Sequence, residues 1–441
     1  MKITLNNKTL ELILFSLLAL LCCYSILPNG IQSIVIIVFS TLAIVFNYKH
    51  IKGEVTKAGG ITLWLIIIFW IIILSLTLLY SIELKFGLST FRKLINIIII
   101  PFVILYALPF LNRRKIEKIL LVFVLSNIFF VFYLFYYLLD NIFNLIAQHN
   151  ITINNYSELI WYGIKKGYPT PILIHKTYFS MNMLFSISFL LWYLINKKVS
   201  YLKKVLIAIG LFLMGFTIIF FLSKINTFLL LILPVFFLLK KRKIKYKASI
   251  IIVYFTSLGI LLLFANNIFK NFNKDSFLEN TINRKLNFIE NVFFTNSSID
   301  NKDIDKRAVI YKCARSLIIE KPFFGYGVGA QHIYLTGCYA SNKEFVLYNE
   351  NFSSHNYYYY LLLCGGIFVL VPFLCMGFTL FKLSFLKKDI LLFIFLLIVF
   401  SNLLVENTFL RINGVLFFAV ILPILIRFLQ TKTDKEDGNI L

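Results

Sequence analysis

The residues with the clearest chemical capacity stand at the mouth of an apolar segment, where Ser353-Ser354-His355-Asn356 precedes Tyr357-Tyr358-Tyr359-Tyr360. Imidazole titrates near neutral pH and can take a proton from an attacking hydroxyl; at such a mouth it meets both water and a lipid-borne substrate. The competing reading is an interfacial residue in an aromatic belt, where Tyr is enriched for its amphipathic ring, and position alone favours that one. Further ionisable residues fall at comparable places: Lys224 in Leu222-Ser223-Lys224, Glu406 and Arg411 in one short connection, His175 in His175-Lys176-Thr177, and Arg307 at the start of an amphipathic stretch through Ala314. Charge near membrane depth is expensive, so such residues pair or serve a site unless their stems let them snorkel to water. A simple pair between Glu406 and Arg411 is the alternative for those two. His50, His149 and His332 lack such company and read as surface or loop residues.

Motifs of soluble enzymes are missing: the chain has no phosphate-binding Gly-rich loop ending in Lys-Ser/Thr, no His-Glu-x-x-His and no Cys pairs at zinc spacing. Asp303-Ile304-Asp305 has the form of a carboxylate pair that holds a diphosphate-bound cation, but Lys302, Lys306 and Arg307 crowd it, and a solvated charge run is the preferred reading. Phe323-Phe324-Gly325-Tyr326-Gly327-Val328-Gly329 offers glycines at alternate positions that a phosphate could approach closely. A turn carrying the chain back to the membrane is preferred. Cys313 and Cys338 share a long connection where oxidation is possible, with two small buried side chains as the preferred alternative.

These residues must be positioned by membrane helices. The 441 residues are 59% hydrophobic and 15% charged, with 48 Phe and 24 Tyr, whereas soluble folds use about 45–50% apolar and roughly 25% charged residues. Six cysteines are too few for a disulfide-stapled scaffold, and the hydrophobicity excludes a disordered chain. A bilayer core of about 30 Å needs roughly 20 apolar residues as helix. Twelve runs answer to that, 10–28, 31–48, 61–80, 94–111, 119–139, 177–196, 205–222, 225–239, 248–265, 357–380, 390–405 and 412–429, of which the eighth and eleventh are short.

The net charge of +24 does not point to nucleic acid, because Lys and Arg cluster in alternate connections, at 49–57, 113–118, 197–204, 240–247 and 382–388. With both tails that face collects 25 of the 44 basic residues but 7 of the 20 acids. Basic short loops stay in the cytoplasm, which places both termini there and His355, Arg307, Lys224, Arg411, Glu406 and His175 outside. Organisation follows: a membrane bundle of about nine helices over 1–265, a large outer loop over 266–354, three further membrane helices over 355–430 and a tail over 431–441. Another outer connection runs from Asp140 to Lys176. Long ordered connections tend to be functional.

Taken together, Arg307-x-x-x-Tyr311 through Pro322-Phe323-Phe324-Gly325-Tyr326-Gly327-Val328-Gly329, then Ser354-His355-Asn356 and a Gly at 365 or 366, resemble the C-terminal signature of the O-antigen ligase and polymerase superfamily. Glu406-Asn407 with Arg411 and Gly414-Val415-Leu416-Phe417-Phe418 resembles the end of that family's sequences, and the topology of about twelve spans, all-α, with the largest periplasmic loop between the ninth and tenth, agrees. The resemblance implies metal-independent, cofactor-free transfer of a glycan from undecaprenyl diphosphate to an acceptor hydroxyl at the periplasmic face of the bacterial inner membrane. Lipid A-core is the ligase acceptor and a second carrier-linked repeat the polymerase acceptor. His355 matches the family's loop His, base or activator, and Arg307 the loop Arg proposed to bind diphosphate oxygens; Lys224, Asn356, Arg411, His175 and Glu406 are the remaining candidates for substrate binding. At Ser223-Lys224-Ile225 the family often has an Arg, and Lys keeps the charge but loses the planar bidentate fork.

A polymerase shares every feature above. A transporter or flippase of lipid-linked glycan is the reading from another class. It ranks lower because transporters usually show internal symmetry and intramembrane charges, while here the ionisable residues gather near helix ends.

Overall fold

The computed structural model describes residues 7–56, 61–149, 175–221, 223–240 and 306–437. Among the described residues every regular element is helical and no strand occurs. The membrane part comprises α1 (Asn7–Cys22), α2 (Asn29–Phe46), α3 (Tyr48–Thr56), α4 (Thr62–Leu76, extended by a 3₁₀ turn Thr77–Tyr80), α5 (Leu84–Tyr106), α6 (Arg113–His149), α7 (Lys176–Asn196), α8 (Tyr201–Phe220) and α9 (Lys224–Lys240). Then follow α10 (Lys306–Glu320), α11 (Gln331–Ser341), α12 (Phe345–Asn349), α13 (Tyr357–Leu386), α14 (Ile390–Leu403), the 3₁₀ turn Thr408–Leu410 and α15 (Ile412–Asp437).

Eight of these helices are long and apolar enough to cross a bilayer, and α9 and α14 contain shorter apolar stretches. The chain is an all-α polytopic membrane protein. Eleven of the twelve expected spans fall on helices; the ninth, 248–265, lies outside the described residues. Burial ranks them: 89% of the apolar window of α15 and 78% of that of α7 is inside the protein, against 28% for α8 and 33% for α2 and α4. α15 packs along α5, and α4 along α13.

Among the boundaries that run past the hydropathy reading are those of α5 and α6. Helix α5 begins ten residues before the expected 94, because Arg92 and Lys93 interrupt the apolar run without interrupting the helix. Lysine and arginine are good helix formers, and Lys93 Nζ finds a carbonyl, that of Leu410, at 3.0 Å. Helix α6 likewise continues to His149, past Asp140 where the connection was expected to start.

Residues 306–352 form a three-helix subdomain with its own core of Ile310, Ala314, Leu317, Tyr326, Leu335, Tyr339 and Leu347, closed against Leu363 of α13. Cys313 and Cys338 are joined as a disulfide linking α10 to α11, which corrects the reading of two merely packed side chains. Helix α13 is broken at Gly365 (φ −143°) and Gly366 (φ 61°). Its opened carbonyls and amides pair with the Gly-rich turn: Tyr326 N donates to Leu363 O (2.7 Å), Gly327 N to Cys364 O (2.8 Å) and Ile367 N to Pro322 O (2.9 Å).

Candidate functional site at one end of the bundle

The sequence-derived residues sit at element ends, and those ends meet. His175 is the N-cap of α7, with its Nδ1 accepting from Thr177 N at 3.4 Å. Lys224 is the first residue of α9, Arg307 the second of α10, His355 and Asn356 precede α13, and Glu406 and Arg411 bracket the turn between α14 and α15. A buried amide pair holds three of these ends together. Asn226 Nδ2 donates to Asn402 Oδ1 (3.1 Å) and Asn402 Nδ2 to Asn226 Oδ1 (2.8 Å), while Asn226 also reaches Ser223 Oγ (2.8 Å) and the Thr177 carbonyl (3.4 Å). Interhelical polar bonds of this kind are worth about 0.6 kcal/mol on average in membranes, up to 1–2. Their effect is chiefly registry, fixing α7, α9 and α14 where Lys176, Lys224 and Glu406 emerge.

His355 Nδ1 lies 3.4 Å from Glu406 Oε1, with the two side chains only 23% and 14% exposed. The ring nitrogen is within ion-pair distance but not aligned for a hydrogen bond; such bonds commonly tighten when substrate arrives. The backbone of His355 is left-handed, φ 45°, a conformation rarely held by residues other than glycine. Neighbouring bonds impose it: Ser354 Oγ donates to Asn356 O (3.0 Å), and Asn356 Oδ1 accepts from Tyr358 N (3.0 Å) and Tyr359 N (3.1 Å) as the N-cap of α13. The Asn356 side-chain oxygen is thus engaged in capping, and the residue positions His355. Asn407 Nδ2 donates to Ser353 Oγ (3.1 Å) and Ser354 Oγ (3.2 Å), tying the histidine loop to the glutamate loop. Arg307 is bound in through its neighbour: Lys306 Nζ lies 5.5 Å over the Phe352 ring, which is 5.6 Å from the ring of His355.

Electrostatics completes the site. Lys176 lies within electrostatic reach of Lys224 and Arg307, and His175 within reach of Glu406, Lys176, His355 and Arg411. Burial pushes the His175 imidazole below its ordinary pKa; Glu406 opposes this, while Lys176, His355 and Arg411 add to it. Burial alone would raise Glu406, but the proximity and charge of His355, the charge of His175 and the Asn407 N–H outweigh it and hold the carboxyl below its usual range. Glu406 therefore faces His355, and Arg411 is exposed, so the simple Glu406–Arg411 pair is not the arrangement found.

The Gly-rich turn does not offer a phosphate cradle. The N–H of Gly325 goes to Lys321 O, those of Tyr326 and Gly327 to α13, that of Val328 to Thr77 Oγ1 (3.2 Å) and that of Gly329 to Ser81 Oγ (2.8 Å). Every amide from 325 to 329 is occupied by the protein. His332, read as a plain loop residue, instead has its Nε2 3.0 Å from Glu83 Oε2 and its ring stacked on Phe86 at 4.1 Å. Asp303 and Asp305 lie outside the described residues, among which no group of three or more His, Cys, Asp or Glu side chains gathers as metal ligands do.

Sequence reasoning missed Asn226, Asn402 and Lys93. Asparagine inside two apolar segments was the available signal for the first two, since an amide in lipid needs a partner.

Fold and site define a polytopic membrane protein whose helix ends bring basic and imidazole side chains together with one carboxylate. Residues 209–374 match the family model of O-antigen ligase. The matched segment contains Lys224, Arg307, His355 and Asn356, and ends before Glu406 and Arg411. None of the curated proteins matches the chain.

Proposed function

We propose that the protein is an O-antigen ligase-type glycosyltransferase of the bacterial inner membrane, with both termini cytoplasmic and its site periplasmic, moving a glycan from undecaprenyl diphosphate to a hydroxyl of lipid A-core. The observation that carries this reading is the His355–Glu406 pair set among Lys176, Lys224, Arg307 and Arg411 where membrane helices end. The acceptor oxygen bonds to the anomeric carbon as the bond from that carbon to the diphosphate oxygen breaks. The diphosphate leaves with the electron pair, and the hydroxyl proton passes to His355 Nε2 and on to solvent. Glu406, facing Nδ1, orients the ring.

Negative charge grows on the diphosphate in the transition state, and each preorganised donor is typically worth about 3–4 kcal/mol there. Arg307, Lys224 and Lys176 supply those donors without requiring a metal ion. Purified full-length protein with a carrier-linked glycan and lipid acceptor loses transfer in His355→Ala; full activity in that variant overturns the assignment. In cells lacking the protein, carrier-linked polymer that never reaches the core supports ligation. Single-repeat glycan on the core would indicate a polymerase instead, and loss of glycan translocation into vesicles a flippase.

A further inference from the structure

Lys93 takes no part in the transfer centre described above, yet it is placed beside it. It sits in α5, and its ammonium donates to the carbonyl of Leu410, the residue before Arg411. Arg411 and Lys93 lie within electrostatic reach of one another. Among the described residues neither has a carboxylate within ion-pair distance, since Glu406 is turned to His355. Two cations held together on a membrane helix and an adjoining turn, with no acid between them, make an anion site. Lys93 is within reach of Arg411, and Lys176 within reach of Lys224 and Arg307; His175 is within reach of both Lys176 and Arg411, and of His355 and Glu406.

We infer that Lys93 and Arg411 form a second oxyanion subsite, which holds a phosphate or diphosphate of the acceptor lipid while the Arg307 group holds the diphosphate of the donor. The inference rests on the transferase reading. It gives the two substrates separate anchors, so that the acceptor hydroxyl is presented to the anomeric carbon by its own charged group. A phosphate from a bilayer phospholipid shares the same chemistry.

The test uses the full-length protein in nanodiscs of phosphatidylcholine, titrated with geranylgeranyl diphosphate and followed by native mass spectrometry. Wild type binds two equivalents. The double variant Lys93→Gln/Arg411→Gln and the single variant Arg307→Gln each keep one, the other weakening by roughly 10- to 100-fold, as loss of charge-assisted hydrogen bonds implies. Lys93→Arg/Arg411→Lys retains two and controls for folding. A single equivalent in wild type, or two in the Gln double variant, overturns the inference. So does a double variant that keeps both equivalents while losing co-purified phosphatidylglycerol, which would make the pair a bilayer contact. Two equivalents in Arg307→Gln would count against the donor reading alone, because the Lys93–Arg411 site is scored by its own variant.

Discussion

Asn407 and Ser354 are joined side chain to side chain, at 3.2 and 3.3 Å, each one residue away from a member of the His355–Glu406 pair. Both are buried, and the bonds cross from the connection before α13 to that before α15. The spacing between imidazole and carboxylate is therefore set by groups that need not touch substrate. Asn407→Ala leaves the Ser353 and Ser354 hydroxyls without this partner, a cost of about 1–3 kcal/mol in stability. We expect its transfer rate to fall at least tenfold at temperatures where the variant remains folded, as thermal unfolding defines; a wild-type rate in a folded variant would show that the clamp does not set the geometry.

The lowered pKa values of Glu406 and His175 both make stability fall with falling pH, but in different windows. Glu406 contributes stability above the ordinary carboxylate pKa, about 4.3, and loses it only as pH falls through its lower folded value. Between pH 5.5 and 7.5 that contribution is constant. His175 is held neutral by burial, so below about pH 6.5 the unfolded chain binds its proton more readily and stability falls with pH. Wild type should thus melt at lower temperature at pH 5.5 than at pH 7.5, and His175→Gln should flatten that slope. Glu406→Gln removes the charge that raises His175 and should extend the slope to lower pH. An unchanged pH slope in His175→Gln would refute the account.

Much of this molecule was legible because bilayer thickness forces apolar residues into long runs. Eleven expected spans lie on helices, and the short connection between α14 and α15 placed Glu406 and Arg411 beside one another. Pairing was not legible. Glu406 is five residues from Arg411 yet faces His355, because Asn407 bonds to the Ser353-Ser354 loop, a relation across more than fifty residues that no local pattern encodes. Lys93 stands just before the expected span at 94 and drew no reading, and only the carbonyl of Leu410 shows where its ammonium goes. The Gly-rich turn left a phosphate site as the lesser alternative to a chain turn, and hydrogen-bond partners from α13, Thr77 and Ser81 occupy its amides.

The subdomain gives a prediction in which glycines of different surroundings behave oppositely. At Gly366, φ 61°, an added Cβ would lie against the carbonyl of Phe323, and at Gly325, also φ 61°, against backbone of Leu363. Backbone cannot yield as a side-chain tip can, so Gly366→Ala or Gly325→Ala should separate the outer subdomain from α13, with marked loss of folded protein. Gly337 lies within α11 with nothing within 4 Å of a Cβ, and Gly337→Ala should raise stability by about 0.5–1 kcal/mol. Thermal unfolding of the three variants checks both signs.

The disulfide bears on Arg307 through α10, which carries that arginine six residues before Cys313. Closing a loop of 25 residues is worth roughly 3–4 kcal/mol on the chain-entropy account. Its effect is local to the subdomain rather than to the bundle, because α10 and α11 share a core separate from that of the membrane helices. Cys313→Ser/Cys338→Ser should therefore be cleaved first between α10 and α11 in limited proteolysis while the bundle stays intact. Greater freedom of α10 loosens Arg307, so KM for the diphosphate donor should rise several-fold with a smaller change in kcat. If the Ser variants keep both the protease resistance and the donor KM of wild type, the helices hold Arg307 by packing alone, and the bond is dispensable to the site.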